Sequence, residues 1–376
     1  MQKFKKVISF LNYNWLFRIP SKKKIIFLVS ENRYFSYLKS KKKDYLFLKF
    51  DHLNIFILLR SFFLKKKSNS LILNYYVEYL KFSECKIFVT NYDNNLIFWK
   101  IKKYIPNLKV IIIQNGLRLK KFDIFEKIKK NKFYGVDYFF TFNKKISNLF
   151  SKFVKAKFIP IGSIENNHIK IQKNKSHNKK SILFISEFLE TKKNSFFKEN
   201  KINKNSWYYP EKTILPFLQN FCIKKNIQLK ILPRTNENAE LVFFSSIIKK
   251  DSFVFLNRRL VNSYNEIDKS DICVFLSSTL GYEALARNKK VAVFCLRKLR
   301  LESSKFGWPN KFPETGKFWT NKSNIKIFQK IMNYLVKMND KDWINYSIGF
   351  KKKIMLFDEK NLKFNLLLKK YNRSNL

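Results

Sequence analysis

Residues 270–295 of this chain read SDICVFLSSTLGYEALARNKKVAVFC, and this stretch decides the fold. Two apolar runs within it, 272–276 and 291–295, are typical of buried strands. The segment between them begins with three hydroxyl side chains and is long enough for a helix. A strand that runs into a helix and on to a second strand is the unit from which parallel sheets with helical faces are built.

The same alternation extends along most of the chain. Further strands are predicted at residues 25–30, 45–49, 86–90, 108–113, 136–140, 157–161, 181–185, 228–232 and 252–256. The polar stretch NNHIKIQKNKSHNKK at 166–180 is predicted to be a linker, and helical spacing dominates after residue 322. The sequence therefore predicts an α/β fold with two Rossmann-like domains of parallel sheets, at residues 1–165 and 181–322. Helices in 323–376 are predicted to pack at the domain junction.

The strong positive charge indicates no partner by itself. The chain has 376 residues, 77 Lys and Arg against 27 Asp and Glu, and a formal net charge of +50. Forty of the basic residues lie in 1–188 and 37 in the remainder, so they form no local patch. Abundant Lys, Asn, Ile, Phe and Tyr with few Gly, Pro and Ala is the composition that an AT-rich genome imposes. We expect solvated lysines and no nucleic-acid partner; a basic RNA-binding protein is the alternative from another class.

The expected location is the cytoplasm. The four cysteines are far apart and mostly within apolar runs, which is typical of core residues in a reducing compartment. The longest apolar tract, 45–64, is interrupted by charged side chains, so it does not predict a transmembrane span. Scattered lysines permit weak peripheral contact with an anionic inner membrane.

Polar residues at strand ends are the candidate ligand-binding residues, because parallel sheets bind ligands at the carboxyl ends of their strands. Ser277, Ser278 and Thr279 follow a strand and open a helix, so hydroxyls, backbone N–H groups and the positive helix end suit a phosphate. Helix capping is the structural alternative. Glu283 lies four residues after Thr279, whereas a capping box needs three, so we expect its carboxylate to be available for a ligand.

Two further residues belong to the same predicted rim. Gly281 costs about 1 kcal/mol relative to Ala inside a helix, so close approach of a ligand or of the neighbouring strand is needed to explain it. Arg234 follows Pro233 at the end of a predicted strand, and its planar guanidinium can bind a phosphate through two hydrogen bonds. Arginines at strand ends also commonly face water.

Several segments of the sequence resemble a known protein family. The run at 270–294 and FGWPNKFPETGKFWTN at 306–321 resemble the O-antigen (surface carbohydrate) biosynthesis family of bacteria, whose members are similar to GT-B glycosyltransferases. The segments IIFLVSENR (25–33), VIIIQNGLR (110–118), VDYFFTFNK (136–144) and FIPIGSIENN (158–167) fit the same family. The resemblance therefore spans most of the chain.

This resemblance implies a glycosyltransferase of surface polysaccharide (O-antigen or capsule) biosynthesis. The second domain would bind a nucleotide-sugar donor, with Ser278 and Thr279 at the diphosphate, Arg234 on phosphate and Glu283 on the ribose hydroxyls. We expect this donor to pack against the start of the helix that follows Ser277–Thr279, which would explain the glycine at Gly281. The first domain would hold a glycan or lipid-linked acceptor. The residues on the acceptor side would be Asn32, Arg33, Gln114, Asn115 and Gly116. A sugar-nucleotide epimerase or a polyol-phosphate transferase of the same fold is the alternative, although many polyol-phosphate transferases have a His-Gly pair where this chain has Asn115-Gly116.

An inverting transferase also needs a general base near the acceptor hydroxyl. Glu31, Asp93 and His52 are the candidates at strand ends of the first domain. Each has a structural alternative: Glu31 can cap a helix, Asp93 can start a turn and His52 can begin a helix. No GxGxxG motif, P-loop or zinc-type His and Cys cluster occurs, so we expect no cofactor and no metal beyond the nucleotide-sugar substrate.

Overall fold

The computed structural model describes residues 14–30, 45–63, 68–120, 123–128, 134–172, 179–190, 197, 202–234, 237–297 and 302–373. The chain divides into two compact units. The first consists of Met1–Gly116, Asp123–Thr141 and Ile146–Pro160, and the second of Leu117–Phe122, Phe142–Lys145 and Ile161–Leu376.

The chain up to Pro160 supplies the first sheet. Its described elements are β1 (Asn14–Leu16), β2 (Ile25–Leu28), β3 (Tyr45–Leu48), β4 (His52–Asn54), α1 (Ile55–Phe63), α2 (Leu71–Phe82), β5 (Ile87–Thr90), α3 (Leu96–Tyr104), β6 (Lys109–Ile113), α4 (Ile124–Ile128), β7 (Gly135–Thr141), α5 (Lys144–Phe150) and β8 (Lys155–Pro160). The sheet has the order β3-β2-β5-β6-β7-β8 with all neighbours parallel. Strands β2 and β5 are buried along their whole length, which explains why both are entirely apolar except for Thr90.

The remaining chain supplies the second sheet and the C-terminal helices. Its described elements are α6 (Ile164–His168), β9 (Ser181–Ile185), α7 (Lys204–Lys225), β10 (Gln228–Leu232), α8 (Glu237–Ser245), β11 (Val254–Phe255), α9 (Ser263–Lys269), β12 (Ile272–Phe275), α10 (Thr279–Ala286), β13 (Lys290–Phe294), β14 (Trp319–Thr320), α11 (Ile325–Lys337), α12 (Asp340–Ile354) and α13 (Leu362–Arg373). The sheet order is β11-β10-β9-β12-β13-β14, again with all neighbours parallel.

The predicted α/β class with two parallel sheets and C-terminal helices is confirmed. Every strand that the apolar runs predicted is present, with ends that shift by a few residues at most. In α11, the buried residues Phe328, Ile331, Met332 and Leu335 follow the helical spacing from which the helix was predicted. Strands β1, β4 and β14 were not predicted, because two or three residues are too few to show a periodic pattern.

The segment from Ile161 to Gln172 belongs to the second unit. The buried guanidinium of Arg287 donates to the carbonyl oxygens of Ile169 at 2.9 Å and Lys170 at 3.2 Å, and its Nε donates to Asp268 Oδ1 at 2.9 Å. The first residues of the predicted linker are therefore held against this unit. The other predicted domain bounds, and the packing of the C-terminal helices at a junction, stay predictions.

The cysteines and the apolar helices bear on two expectations drawn from the sequence. All four cysteines are unpaired and buried, as expected of core residues. Within the part of the chain that the structure describes, no helix combines the length and apolar character needed to cross a bilayer.

Candidate functional site

The second sheet has its topological switch point between β9 and β12. From β9 the chain runs outward through β10 and β11, and it then returns to β12 on the other side of β9. The loops that follow β9 and β12 therefore lead to opposite faces of the sheet and leave a crevice between them, which is where such sheets bind ligands. Glu187 lies after β9, and Ser277 and Ser278 lie after β12.

A carboxylate and a serine meet in this crevice. The backbone N–H of Ser277 donates to Glu187 Oε1, and Ser277 Oγ donates to Glu187 Oε2 at 2.7 Å. Arg234 Nη1 donates to the backbone oxygen of Glu187 at 3.4 Å, which places the guanidinium beside the crevice as predicted from its strand-end position. The backbone N–H of Arg234 is fixed by the buried carboxylate of Glu240, at 2.7 and 3.0 Å.

Glu187 also belongs to a buried charge cluster with Arg297 and Glu211. Arg297 Nη2 lies 3.1 Å from Glu187 Oε2 and 3.2 Å from Glu211 Oε1, and its guanidinium stacks 4.0 Å from the centre of the Trp207 ring. Burial opposes ionisation of Glu187, but Arg297 and the hydrogen bonds from Ser277 outweigh it and lower the pKa of Glu187. Burial raises the pKa of Glu211, and the charge on Glu187 adds to this effect. Glu187 therefore carries the negative charge that Arg297 balances.

Helix α10 begins at the crevice with its first turn uncapped by a side chain. Ser278 occupies the N-cap position, yet its hydroxyl makes no capping hydrogen bond. Its backbone oxygen accepts from Gly281 at 3.1 Å, and Thr279 Oγ1 accepts from the backbone N–H of Leu117 at 3.1 Å. The alternative that these hydroxyls only cap the helix is therefore not supported at Ser278, and the helix end keeps its positive potential.

The reason for Gly281 is a neighbouring side chain. A Cβ atom at Gly281 would lie 2.1 Å from Cγ of Phe275, the last residue of β12. The Phe275 ring is fully buried and Gly281 is buried as well. Close approach of the strand therefore accounts for the glycine, and the expected packing of the donor nucleotide at Gly281 is not needed to explain it.

The carboxylate of Glu283 is not open to a ligand, although its spacing from Thr279 had suggested that it would be. The residue is 5% exposed, and its carboxylate accepts hydrogen bonds from the hydroxyl of Tyr264 at 2.9 Å and from the side chain of Ser163. Burial raises the pKa of Glu283 to about 7, although the two hydroxyls and Arg287 act in the opposite direction. The absence of a capping box is real, but the tertiary packing of α6 and α9 supplies the carboxylate with other partners.

The first sheet has its switch point between β2 and β5. Asn91, after β5, accepts from the backbone N–H of Ser30 at 3.1 Å and donates to Ser30 Oγ at 2.9 Å, so the two strand ends are joined. Three of the candidate residues follow Ser30 directly and lie outside the described residues: Glu31, Asn32 and Arg33.

Asp93 positions the loop that follows β6. It is fully buried, and its Oδ1 accepts from the backbone N–H of Asn115 at 3.2 Å. Gln114 is buried too, and its side-chain amide donates to the backbone oxygen of Gly116 at 3.0 Å. Asn115 is exposed. An acceptor hydroxyl could reach the Asp93 carboxylate only if this loop moved, whereas the Asn115 side chain is accessible.

His52 lies at a cleft in the first unit. It begins strand β4 rather than a helix, and its Nε2 is 3.9 Å from Asp51 Oδ1. The cleft has a volume of about 620 Å³, and its polar lining includes Arg18, Ser30 and Lys49. That volume is within the range of small-molecule binding sites. Across the described residues, no group of three or more His, Cys, Asp or Glu is arranged to hold a metal ion.

Sequence reasoning missed the charge cluster. Glu187 was visible as the polar residue after a buried strand, and Arg297 lies two residues beyond another predicted strand, so both could have been found by the rule that identified Arg234. Glu211 lies within helix α7 and carries no such signal.

The comparisons with known proteins agree with this architecture. A family model described as "putative O-antigen biosynthesis protein" matches residues 111–372. The chain belongs to this family. A comparison with curated proteins gave no match.

Solved structures similar to this member of the O-antigen family share its fold at low sequence identity. The wall teichoic acid polymerase TagF is 12% identical, with a TM-score of 0.51 over 95% of this chain and 90% of that chain. The S. aureus MnaA-UDP co-structure is 14% identical, with a TM-score of 0.53 over 89% and 93%. UDP-GlcNAc 2-epimerase from Neisseria meningitidis bound to UDP-GlcNAc is 12% identical, with a TM-score of 0.53 over 92% and 99%. At such identities the likeness concerns the fold alone, and it confirms the predicted GT-B-like class.

Proposed function

We propose that this protein is a glycosyltransferase of surface polysaccharide (O-antigen or capsule) biosynthesis, which transfers a sugar from a nucleotide-activated donor to a glycan or lipid-linked acceptor. The observation that carries the proposal is the crevice at the switch point of the second sheet, where Glu187 contacts both the Arg234 guanidinium and Ser277, just before the uncapped N-terminus of α10. Membership of the O-antigen family and a fold shared with UDP-bound proteins support it.

The donor diphosphate is assigned to Ser278, Thr279 and Arg234. Ser277 already gives both its N–H and its hydroxyl to Glu187, and the negative charge of Glu187 would repel a phosphate placed there. The first turn of α10 offers backbone N–H groups instead. Thr279 Oγ1 accepts a hydrogen bond from Leu117, which leaves its own hydrogen to donate to a phosphate oxygen.

The ribose is assigned to Glu283. Because Glu283 is buried, a ribose hydroxyl would have to displace one of the two hydroxyls, of Tyr264 or Ser163, that its carboxyl group now accepts from. With a pKa of about 7, this carboxyl can accept or donate a hydrogen bond at neutral pH. Gly281 contributes to the site by allowing α10 to pack closely on β12, and it makes no contact with the donor in this proposal.

The reaction needs a base in the first unit. The acceptor oxygen would attack the anomeric carbon, the bond from that carbon to the nucleotide diphosphate would break, and the base would take the hydroxyl proton. Of the two candidate bases that the structure describes, His52 lines the 620 Å³ cleft and Asp93 holds a backbone N–H of a loop. We therefore assign the base to His52 and a positioning role to Asp93. Glu31 keeps its predicted candidacy.

Isothermal titration with UDP-, CMP- and GDP-sugars tests the donor site. Arg234→Met should weaken binding of the true donor by about tenfold to a hundredfold, because it removes a charge-assisted hydrogen bond worth about 1.5–3 kcal/mol. Arg259→Met is the matched control, since Arg259 is an exposed arginine whose backbone N–H, not its guanidinium, donates to Asn257 Oδ1 at 3.0 Å. Donor binding that is equal in wild type and Arg234→Met would contradict the assignment, and so would the absence of binding to every nucleotide.

Product analysis separates the proposed reaction from its alternatives. A transferase consumes the nucleotide-sugar only when an acceptor is present, apart from slow hydrolysis. Conversion of the nucleotide-sugar into its epimer without an acceptor would identify an epimerase instead. Binding to RNA that falls steeply with salt, together with no nucleotide-sugar binding, would identify the charge-driven alternative.

A further inference from the structure

Helix α1 turns an apolar side to the outside of the first unit. Its buried residues are Ile57, Leu58 and Ser61. The exposed residues on its other sides are, apart from Arg60, the large apolar side chains Phe56, Leu59, Phe62 and Phe63, of which Phe63 is 86% exposed. Residues 56, 59 and 63 follow helical spacing, so they share one side of the helix. A surface helix of a soluble protein normally has polar residues there.

The loop after β1 extends this apolar surface. Phe17 and Ile19 are 72% and 67% exposed. Asn54 fixes this loop to the start of α1, because its Nδ2 donates to the backbone oxygen of Arg18 at 2.6 Å and its Oδ1 accepts from the N–H of Ile57 at 3.2 Å. We call the six exposed residues the apolar face; they are Phe17, Ile19, Phe56, Leu59, Phe62 and Phe63.

The charged side chains between the residues of the apolar face are positive. Arg18 is exposed between Phe17 and Ile19, and the side chain of Arg60 is half-exposed although it contacts the buried carboxylate of Glu78. The segments 14–24 and 52–63 contain no Asp or Glu themselves. The nearest acids lie at their edges: the exposed Asp51 accepts a hydrogen bond from Asn14 at 3.1 Å, and Glu84 pairs with Lys22. Three consecutive lysines, Lys65–Lys67, follow α1 in the sequence.

We propose that the apolar face docks on the surface of an anionic lipid bilayer. The aromatic and leucine side chains would enter the headgroup region, and Arg18 and Arg60 would lie at the level of the lipid phosphates. Apolar side chains with arginines among them are complementary to this surface, whereas a soluble protein partner has no general need for such a charge pattern. The sequence predicted only a weak attraction to an anionic membrane through scattered lysines. The apolar face adds a contribution to membrane binding that salt does not screen.

The cleft of the first unit is continuous with this docking surface. Arg18 and Ile19 belong both to the loop of the apolar face and to the cleft lining. Docking would therefore bring the cleft next to the bilayer, where a lipid-linked molecule could reach it without leaving the membrane. The docking itself does not depend on the transfer reaction, so it can be tested without activity.

Vesicle co-sedimentation of the full chain tests the proposal. The vesicles contain phosphatidylcholine alone or phosphatidylcholine with phosphatidylglycerol, at low and at high salt. Wild type should bind the anionic vesicles, and its affinity should fall at high salt but stay measurable. The variant F62S/F63S should bind at least about tenfold more weakly at both salt concentrations, because each buried Phe contributes more than that factor when fully inserted.

The variant V242S/L366S is the matched control, since it removes two exposed apolar side chains, 72% and 64% exposed, from the second unit. It should bind vesicles as wild type does, and both variants should keep the wild-type thermal unfolding curve. Equal vesicle binding by F62S/F63S and wild type would overturn the proposal, and so would complete loss of wild-type binding at high salt. A wild-type dimer that F62S/F63S converts to a monomer by light scattering, with no change in vesicle binding, would make the face a contact between copies of the chain and would equally overturn it.

Discussion

Adding a methyl group at Gly281 tests whether the Phe275 ring is the reason for a glycine inside helix α10. The new Cβ would lie 2.1 Å from Cγ and 2.3 and 2.4 Å from the two Cδ atoms of that ring. Carbon atoms in ordinary contact are about 3.5–4.0 Å apart, so the ring would have to retreat by more than an ångström. The ring is fully buried, and the surrounding core would resist that movement.

Two opposing effects determine how much Gly281→Ala changes the free energy of unfolding. Alanine is more favourable than glycine inside a helix by about 1 kcal/mol. Overpacking a well-packed core costs about 1–3 kcal/mol, and the overlap at Phe275 is severe. We therefore expect Gly281→Ala to lower the free energy of unfolding by up to about 2 kcal/mol, which is the overpacking cost less the helix gain.

Gly349 in helix α12 is the matched control, because a Cβ there would meet nothing within 4 Å. Gly349→Ala should raise the free energy of unfolding by about 1 kcal/mol. Urea unfolding monitored by circular dichroism gives both values. If Gly281→Ala stabilises the protein as much as Gly349→Ala does, the steric argument fails. A second check is that Gly281→Ala should cost less in a Phe275→Leu background, where the ring is absent.

Three further predictions concern the buried acids. Glu283 has a folded pKa of about 7 against an ordinary value of 4.5, so the stability it contributes below pH 4.5 is lost as the pH rises to 7. Glu283→Gln should remove about 3 kcal/mol of that pH dependence, and an unfolding free-energy difference from wild type that is flat with pH would refute this. Arg297→Met removes the ion-pair partner of the buried Glu187 and Glu211. It should lower the free energy of unfolding by about 3–5 kcal/mol in urea, and an unchanged midpoint would exclude the ion pairs. Asp93→Asn keeps an oxygen for the Asn115 N–H, so transferase activity should fall by less than about a hundredfold, whereas a larger loss would make Asp93 the base.

Part of the candidate site could be predicted because strand ends are readable from the sequence. A strand buried on both faces is a continuous apolar run, so the first polar residue after it marks the rim of the sheet. Arg234 was found in this way, and the structure places it beside the crevice. The same rule gives the position of Glu187 but not its partner, because Ser277 is 90 residues away in the sequence.

The partners of Glu283 and Gly281 could not be predicted from local sequence. Helical spacing correctly excluded a capping box for Glu283, but its actual partner Tyr264 lies on another helix and Ser163 precedes a third. The cost of Gly281 predicts a close neighbour, and the neighbour expected from the sequence was the donor nucleotide. Only packing decided that this neighbour is the Phe275 ring.

The sequence by itself determined the class of fold, the strands and most of their limits, because burial on a parallel sheet imposes composition on each strand separately. It did not determine the order of the strands, since an apolar run is compatible with any neighbour. That order creates the switch point between β9 and β12 and so brings Glu187 to Ser277. The sequence also could not show which apolar runs stay exposed. Residues IFILLRSFF of α1 have the composition of a core helix, and only the tertiary structure shows four of their apolar side chains facing outward, because exposure depends on what the rest of the chain covers.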